Sequence, residues 1–181
     1  MPPRAEPLRV ELSFLAALGW GLTPGLAGSP VRPGARVQIA LARAWWAVPV
    51  ELGVDAPGQF DDASRGANAE AVPMSFSAGF CGRWQPSVEL RVCALSTAAL
   101  IYAYGAGYMV DRDATGFALG FGARVGLTVP FSATWAFTTA GEVSGMALRP
   151  SLGVEGAGGG ELWDAPVASA GVALGVTWRI R

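Results

Sequence analysis

The sequence predicts an all-β fold, namely a transmembrane antiparallel up-and-down β-barrel of eight strands, and three observations support this prediction. Hydrophobic residues make up 51% of the 181 residues and charged residues only 15%, whereas a soluble domain carries about 25% charged residues. Along eight segments, apolar residues alternate with small or polar ones, which is the period of a strand whose two faces meet different surroundings. The links between those segments are alternately short and long, which is typical of transmembrane barrels.

The composition excludes several classes of protein and of chemistry. The 25 glycines show no three-residue period, and seven Trp, eight Phe and three Tyr are too many for a disordered chain. All basic residues are arginine, the net charge is −1 and no basic run is present, so we expect no nucleic-acid partner. Histidine is absent, which removes Ser–His and Cys–His catalysis and most zinc sites. We therefore predict a protein that is not an enzyme and has no cofactor.

In chain order, the first strand is predicted over residues 8–14, where Leu, Val and Phe alternate with Arg, Glu and Ser. The next four segments alternate more weakly, over residues 37–41, 48–54, 72–80 and 88–94. Proline cannot donate to a ladder and belongs at strand ends or bulges, so Pro49 and Pro73 predict a late start for strands three and four. The last three segments, residues 117–129, 131–138 and 168–180, alternate most clearly.

The two faces of the predicted strands decide what surrounds the barrel. In residues 117–129 one face is mostly Phe, Leu and Val, and the other is Gly, Ala and Thr with Arg124. Small residues with scattered charges suit the interior of a narrow barrel, and a continuous bulky apolar face suits lipid. A soluble barrel or sandwich, with the bulky face inside, is a second interpretation. A third is a transmembrane helix over residues 92–110, which hold no charge.

The predicted links orient the barrel. Short links are expected at residues 44–45, 83–85 and 130, and long links at 24–33, 57–69, 106–114 and 144–163. In outer-membrane barrels the tight turns and both termini lie on the periplasmic side. Aromatic residues should form a girdle at each interface. The predicted short-turn girdle contains Trp45, Trp46, Trp84, Phe131 and Trp178, and the long-loop girdle contains Trp20, Tyr104, Tyr108 and Trp163.

Alternation also places charged side chains inside the predicted barrel. Opposite charges in a narrow lumen must pair, because an unpaired buried ion costs several kcal/mol. An eight-stranded interior is just wide enough for side chains to fill, so we predict an ion-pair network that plugs the lumen. A gated path, opened by a rearranging Arg–Glu pair, is the functional alternative. The network is predicted from Arg9, Glu11, Arg83, Glu89, Arg91 and Arg179 near the short turns, and from Arg36, Glu51, Asp55, Arg124 and Glu142 higher in the barrel.

Cys81 and Cys93 are the only two cysteines. They lie on either side of a predicted short link, and alternation points both into the lumen. Adjacent strands bring such residues within disulfide reach, and an oxidising compartment would keep the bond. We predict a structural disulfide, with two separate buried thiols as the alternative.

Acidic residues in the predicted long loops are interpreted as solvated side chains, and we predict no metal site. Calcium binding, or bridging of the divalent cations of surface lipopolysaccharide, is the alternative. These residues are Asp61 and Asp62, Asp111 and Asp113, and Glu161 and Asp164.

The C-terminal segment carries a resemblance to a known family. Gly175, Trp178 and Ile180 match the assembly signal of outer-membrane barrels, whereas Ala173 stands where that signal has a polar residue. With its eight alternating segments over residues 8–180, the chain resembles the small eight-stranded outer-membrane β-barrels of Gram-negative bacteria, such as the OmpA transmembrane domain and the OmpX- and OmpW-like proteins. The resemblance implies that the barrel-assembly machinery reads Trp178 and Ile180 during biogenesis.

The same resemblance implies a location in the bacterial outer membrane, in contact with membrane lipid and lipopolysaccharide. We expect a monomer with an N-terminal extension over residues 1–7 and one barrel domain over residues 8–181. No secretory leader is evident in the sequence, so we expect a mature chain or a gene start placed too late. The predicted function is that of a non-enzymatic scaffold in the cell envelope. The alternatives are a small porin-like or OmpW-like channel or transporter, and a soluble lipid-binding barrel.

Overall fold

The structure, a computed structural model, describes residues 7–20, 31–62, 67–84, 87–106, 113–149, 151–153, 161–164 and 166–180. All the regular secondary structure in these ranges is β-strand. The strands are β1 (Arg9–Trp20), β2 (Val31–Arg43), β3 (Trp46–Asp55), β4 (Gly58–Asp62), β5 (Ala67–Trp84), β6 (Glu89–Ala106), β7 (Asp113–Pro130), β8 (Trp135–Leu148), β9 (Ser151–Gly153), β10 (Glu161–Asp164) and β11 (Ala168–Ile180).

The strands close into an antiparallel up-and-down barrel. Neighbouring strands follow the order β3-β2-β1-β11-β8-β7-β6-β5-β4, and pairing of β3 with β5 closes the ring. Both β3 and β4 pair with β5 and are interrupted only at Ala56–Pro57, so together they act as one barrel strand. The predicted eight-stranded transmembrane barrel is therefore confirmed. Strands β9 and β10 form a separate two-stranded sheet.

The bulky apolar face points outward along the whole barrel. Phe121 and Leu174 are 65% and 66% exposed. The residues between the outward positions, such as Ala118 and Thr177, are buried. This orientation rules out the soluble interpretation, because a barrel in water would turn its large apolar side chains inward.

The helical interpretation of residues 92–110 is also wrong for the residues described. Up to Ala106 they belong to β6, which pairs with β5 on one side and β7 on the other. Cys93, Leu95 and Thr97 are buried while Val92 is exposed, and this is the period of a strand. In the described part of the chain, no helix has the length and apolar character needed to span a membrane.

Pro49 and Pro73 do not delay their strands as predicted, because both lie inside them. The β3–β5 ladder skips from Ala47↔Cys81 to Val50↔Ala78, so Pro49 lies at a gap in the pairing. Pro73 lies opposite the interruption between β3 and β4. Each proline therefore occupies a position where the ladder is already broken.

Several predicted links are shorter than expected because the strands continue past the predicted ends. Strand β4 lies inside the predicted link 57–69, β8 runs on to Leu148, β9 lies inside the predicted link 144–163 and β10 overlaps its end. The short link at residues 44–45 is a tight turn. The short link predicted at residue 130 lies instead at residues 131–134, which were predicted to begin a strand, because β7 continues to Pro130 and β8 begins only at Trp135. In this link, the Ser132 hydroxyl accepts a hydrogen bond of 2.9 Å from the backbone N–H of Trp135.

A charged lumen as the candidate functional site

Five charged side chains interlock inside the barrel near the short turns, and we call them the basal cluster: Glu11, Arg83, Glu89, Arg91 and Arg179. The Arg83 guanidinium donates to both oxygens of Glu89, from Nε at 2.7 Å and from Nη2 at 2.8 Å. It also donates to Glu11 at 3.1 Å and to the carbonyl of Arg43 at 2.8 Å. Arg91 donates to the other oxygen of Glu11 and to Glu89. Arg179 donates to Glu89 at 3.1 Å.

Alternation and register explain why these side chains meet. Arg83 and Arg91 are directly opposite each other on β5 and β6, which would repel two like charges. Glu89 and Glu11 lie against both guanidiniums, and the Glu11 side chain is 0% exposed. Three arginines and two glutamates leave the cluster with a formal charge of +1. All four carboxylate oxygens of Glu11 and Glu89 accept hydrogen bonds from these arginines, as buried carboxylates require.

A second group, the upper cluster, lies farther from the short turns and consists of Arg36, Glu51, Asp55, Arg124 and Glu142. Arg124 holds both oxygens of Glu51, at 2.7 and 2.8 Å, and donates to Glu142 from Nε at 2.9 Å and from Nη2 at 2.5 Å. Arg36 pairs with Asp55 at 2.7 Å, and its Nε is 4.0 Å from Glu51. Arg124 therefore ties β7 to β8 and, across the lumen, to β3.

Two polar residues of β2 that were not among the predicted residues also lie in the lumen near the upper cluster. Gln38 accepts a hydrogen bond of 3.1 Å from Arg124, and Arg32 is 3% exposed and donates to the carbonyl of Ala56 at 3.1 Å. Both lie on β2 at even-numbered positions, in phase with Arg36. The alternation of residues 37–41 already places Gln38 inside, and extending it towards the N-terminus would have found Arg32. Arg9, a predicted member, is half-buried at the first position of β1.

A line of hydroxyl groups lies next to the basal cluster. Ser13, Thr177, Thr138 and Thr128 belong to four adjacent strands and are linked at 2.8, 2.7 and 3.3 Å. Each hydroxyl can both donate and accept, so the line satisfies its own polar atoms. It fills that side of the lumen with small polar groups that need no water.

Cys81 and Cys93 form the predicted disulfide, with an S–S distance of 2.08 Å. They are directly opposite each other on β5 and β6. Both are buried and cluster with Ala42, Ala47 and Leu95. The prediction of a disulfide is confirmed, and two separate thiols are ruled out.

The upper half of the lumen contains a cavity of about 70 Å³. One wall is nearly bare and is formed by Ala17 and Gly19 of β1 with Gly171 and Ala173 of β11. The opposite wall is charged and is formed by Arg32 together with the upper cluster. A cavity of this size and polarity can hold several water molecules.

Aromatic side chains collect outside the barrel near its ends. Trp46 stacks on Phe80 with ring centroids 6.4 Å apart, and Trp178 stacks on Trp135 at 6.1 Å. Trp135 and Tyr102 were not among the predicted girdle residues although both are outward and exposed. Tyr108 lies outside the described residues, as does the side chain of Trp163. The other predicted girdle residues are exposed or half-buried: Trp20, Trp45, Trp46, Trp84, Tyr104, Phe131 and Trp178.

The remaining predicted residues divide between the C-terminal strand and the loops. Gly175, Trp178 and Ile180 all lie in β11, where Trp178 and Ile180 point outward. A Cβ on Gly175 would collide with the carbonyl oxygen of Phe14. Within the described residues, no three His, Cys, Asp or Glu side chains are grouped as a metal site requires. Asp111 lies outside the described residues, as do the side chains of the other loop acids: Asp61, Asp62, Asp113, Glu161 and Asp164.

No protein-family profile matches the sequence, and no curated protein is similar to it. Solved structures match over almost the whole chain at low sequence identity. A major outer membrane protein from Thermus thermophilus has a TM-score of 0.65 at 12% identity, and the match covers 94% of this chain and 99% of that one. The attachment invasion locus protein Ail of Yersinia pestis, crystallised with a heparin analogue, has a TM-score of 0.57 at 11% identity, over 97% and 99%.

Neisserial surface protein A has a TM-score of 0.55 at 12% identity, over 96% of this chain and 97% of that one. The sequence predicts that this protein is located in the bacterial outer membrane. The solved structures that share its architecture support that location. The chain has the fold of the small eight-stranded outer-membrane β-barrels.

Proposed function

We propose that this protein is a non-enzymatic scaffold of the bacterial outer membrane, with a lumen closed to solutes at its periplasmic end. The observation that carries the proposal is the basal cluster. Its buried side chains satisfy one another around Glu11 and Glu89. Moving a solute past them would separate charges in a poorly hydrated lumen, which costs several kcal/mol for each unpaired ion.

The charged side chains also stabilise the barrel wall, because they join its strands across the lumen. The basal cluster joins β1, β5, β6 and β11, and the upper cluster joins β2, β3, β7 and β8. Together the two clusters therefore connect all eight barrel strands across the lumen. Such a rigid barrel is suited to holding loops at the cell surface, since binding residues are often carried on loops positioned by a rigid scaffold.

A channel or transporter for small polar solutes is the second candidate function, and the upper cavity favours it. The cavity brings water-sized space next to Arg36 and Glu142. A solute that enters from the outer end would reach these side chains before it met the basal cluster. This candidate requires the basal cluster to open, whereas the scaffold requires it to stay closed.

Conductance in planar lipid bilayers separates the two functions. We expect the refolded protein to give no discrete conductance steps. The Arg83→Ala/Glu89→Ala variant, in which two adjacent partners of the seal are removed together, should give steps. Arg124→Ala is the matched control, because it disrupts only the upper cluster. This variant should give no conductance steps. Heat-dependent gel mobility checks that each variant is folded.

Discrete steps from the unmodified protein would contradict the closed scaffold and favour the channel. A folded Arg83→Ala/Glu89→Ala variant that gives no conductance steps would show that the lumen is closed elsewhere. That result would also contradict the proposal.

The proposed partners follow from the outer surface. The apolar outward face contacts membrane lipid, and the aromatic residues at its two ends lie at the headgroup level. Lipopolysaccharide is the proposed lipid of the outer leaflet, and the barrel-assembly machinery the proposed partner during biogenesis. We propose a monomer, because every strand edge of the barrel is already paired.

A further inference from the structure

The disulfide lies in a part of the lumen that exists only after the barrel has closed. Cys81 is 2% exposed and Cys93 6%. Ala42 of β2 and Ala47 of β3 pack beside them together with Leu95. On the periplasmic side, Arg83 and Arg91 follow the cysteines on the same inward faces and are held by the basal cluster.

Burial of the two sulfur atoms hinders the reaction that forms a disulfide. Thiol–disulfide exchange proceeds by attack of a thiolate on a disulfide sulfur through a mixed disulfide, so its rate depends on access. An oxidant would have to reach one of the two Sγ atoms past Ala42, Ala47 and Leu95, through the basal cluster, or from the upper cavity past Arg124, which lies opposite Cys93 on β7. In the described part of the barrel, side chains occupy each of these approaches, and neither cysteine lines the upper cavity.

The β5–β6 hairpin by itself already contains both reacting thiols. Cys81 and Cys93 are 12 residues apart and directly opposite in a ladder that runs from Asn68↔Ala106 to Trp84↔Leu90. Short loops close at little entropic cost. A hairpin of this kind can bring the two thiols together without the rest of the barrel.

The basal cluster likewise consists of residues inside the β5–β6 hairpin and residues from distant strands. Glu89 is six residues from Arg83 and two from Arg91, and all three lie in the hairpin. Glu11 and Arg179 are 72 and 90 residues from their partners and belong to β1 and β11. The hairpin therefore holds a partial cluster that Glu11 and Arg179 complete when the barrel closes.

We propose that the disulfide is made in the β5–β6 hairpin before barrel closure, by a dithiol-oxidising protein that acts on the unfolded chain, and that the closed barrel then shields the bond. The two thiols lose two protons and two electrons as the S–S bond forms, and the disulfide of the oxidant is reduced to two thiols. The unfolded chain is thus the substrate of that oxidation. This order of events depends on the burial of the sulfurs and not on the scaffold function.

The test compares oxidation before and after folding. Reduced chain in urea, and reduced chain already refolded into detergent micelles, are each treated with oxidised glutathione. The remaining thiols are then counted with a maleimide-polyethylene glycol gel shift after denaturation. We expect the folded chain to be oxidised at least about 100-fold more slowly, because reaction requires local opening. Rates within threefold of each other would overturn the proposal.

A matched control shows that the assay can see a reactive thiol in the folded barrel. The Cys81→Ala/Cys93→Ala/Ser87→Cys variant carries one cysteine at an exposed position of the β5–β6 turn. Its thiol should form a mixed disulfide with glutathione equally fast in urea and in micelles. Slow reaction of this control in micelles alone would remove the support that slow oxidation of Cys81 and Cys93 provides.

The reverse reaction tests shielding independently. Dithiothreitol should reduce the oxidised chain in urea and leave the bond intact in the folded barrel. Equal rates of reduction would overturn the proposal. A reduced chain that folds only after oxidant is added would support it, because oxidation then necessarily comes first.

Discussion

At the scale of single residues, close packing requires glycine at one position of this barrel and not at another. A Cβ on Gly175 would collide with the carbonyl oxygen of Phe14 and lie 2.9 Å from the Cα of Leu15, so β11 approaches β1 more closely than any other residue permits. Gly141 points outward and a Cβ there would have nothing within 4 Å. Gly175, which matches the assembly signal of outer-membrane barrels, therefore has a structural use of its own.

The Gly175→Ala substitution tests that use in a purified system. We expect it to lower the free energy of unfolding by about 1–3 kcal/mol, as overpacking a tight contact does. Gly141→Ala, which adds the same methyl group on the lipid side, should change it by less than about 0.5 kcal/mol. Urea titration in detergent micelles measures both. An unchanged midpoint for Gly175→Ala would contradict the close approach of β11 to β1 at this glycine.

Glu11 is the residue whose loss should damage the lumen most. It is fully buried between Arg83 and Arg91, and Glu11→Ala would leave these two guanidiniums with only Glu89 between them. We expect a loss of about 3–5 kcal/mol in the free energy of unfolding, since a buried charge loses its partner. Glu142→Ala is the control, because the Glu142 side chain is 27% exposed and Arg124 keeps Glu51. Equal losses for the two variants would contradict this ranking.

At the scale of strands, the position of a proline within the ladder matters more than its presence. Pro49 and Pro73 both lie inside strands, at places where the pairing with a neighbour is interrupted. Ala94 lies in β6, where it pairs with Phe80 on one side and with Ala123 on the other. A proline is tolerated only where no neighbouring strand needs its N–H.

Two substitutions test this rule, one that adds a proline to β6 and one that removes a proline from β5. Ala94→Pro removes an N–H from a continuous ladder and should lower the free energy of unfolding by about 1–3 kcal/mol, the cost of an unmade buried hydrogen bond. Pro73→Ala should change it by less than about 1 kcal/mol. Circular dichroism during urea titration reports both. A stable Ala94→Pro barrel would show that the ladder in β6 is less continuous than described.

At the scale of the whole molecule, the barrel is inverted relative to a soluble protein. Large apolar residues cover the outside, and the inside is filled by ion pairs, hydroxyls, small residues and one disulfide. The large apolar side chains are surrounded by lipid and not by a hydrophobic core. The stability of the barrel should therefore depend on where along the membrane normal an outward residue lies.

Two arginine substitutions on one strand test this dependence. Val125 and Val129 both point outward on β7 and are about half exposed, and Val129 lies next to the short turn. In lipid vesicles, Val125→Arg should cost about 2–4 kcal/mol and Val129→Arg only about 0–1, because the penalty decreases towards the interface. Tryptophan fluorescence during urea unfolding measures both values. Equal and small losses would contradict a membrane-spanning position of Val125.

Much of the lumen could be predicted because alternation assigns each residue of a strand to one face. Arg83, Arg91 and Glu89 were placed inside on that basis, as were Cys81 and Cys93. The partners were not predictable, since Arg124 meets Glu51 across 73 positions of sequence. Arg32 was missed because Pro33 and Gly34 interrupt the period of β2, and Gln38 was missed because only charged residues were assigned to the predicted network.

The sequence by itself determined the strand period, the apolar outer face, the charged interior and the disulfide, because a period of two residues and a short hairpin are local properties of the chain. Only the tertiary structure decided which charges meet, where a glycine is indispensable and which prolines are harmless. Those outcomes depend on the register between strands and on the closure of the barrel, and both are set by contacts between residues far apart in the sequence.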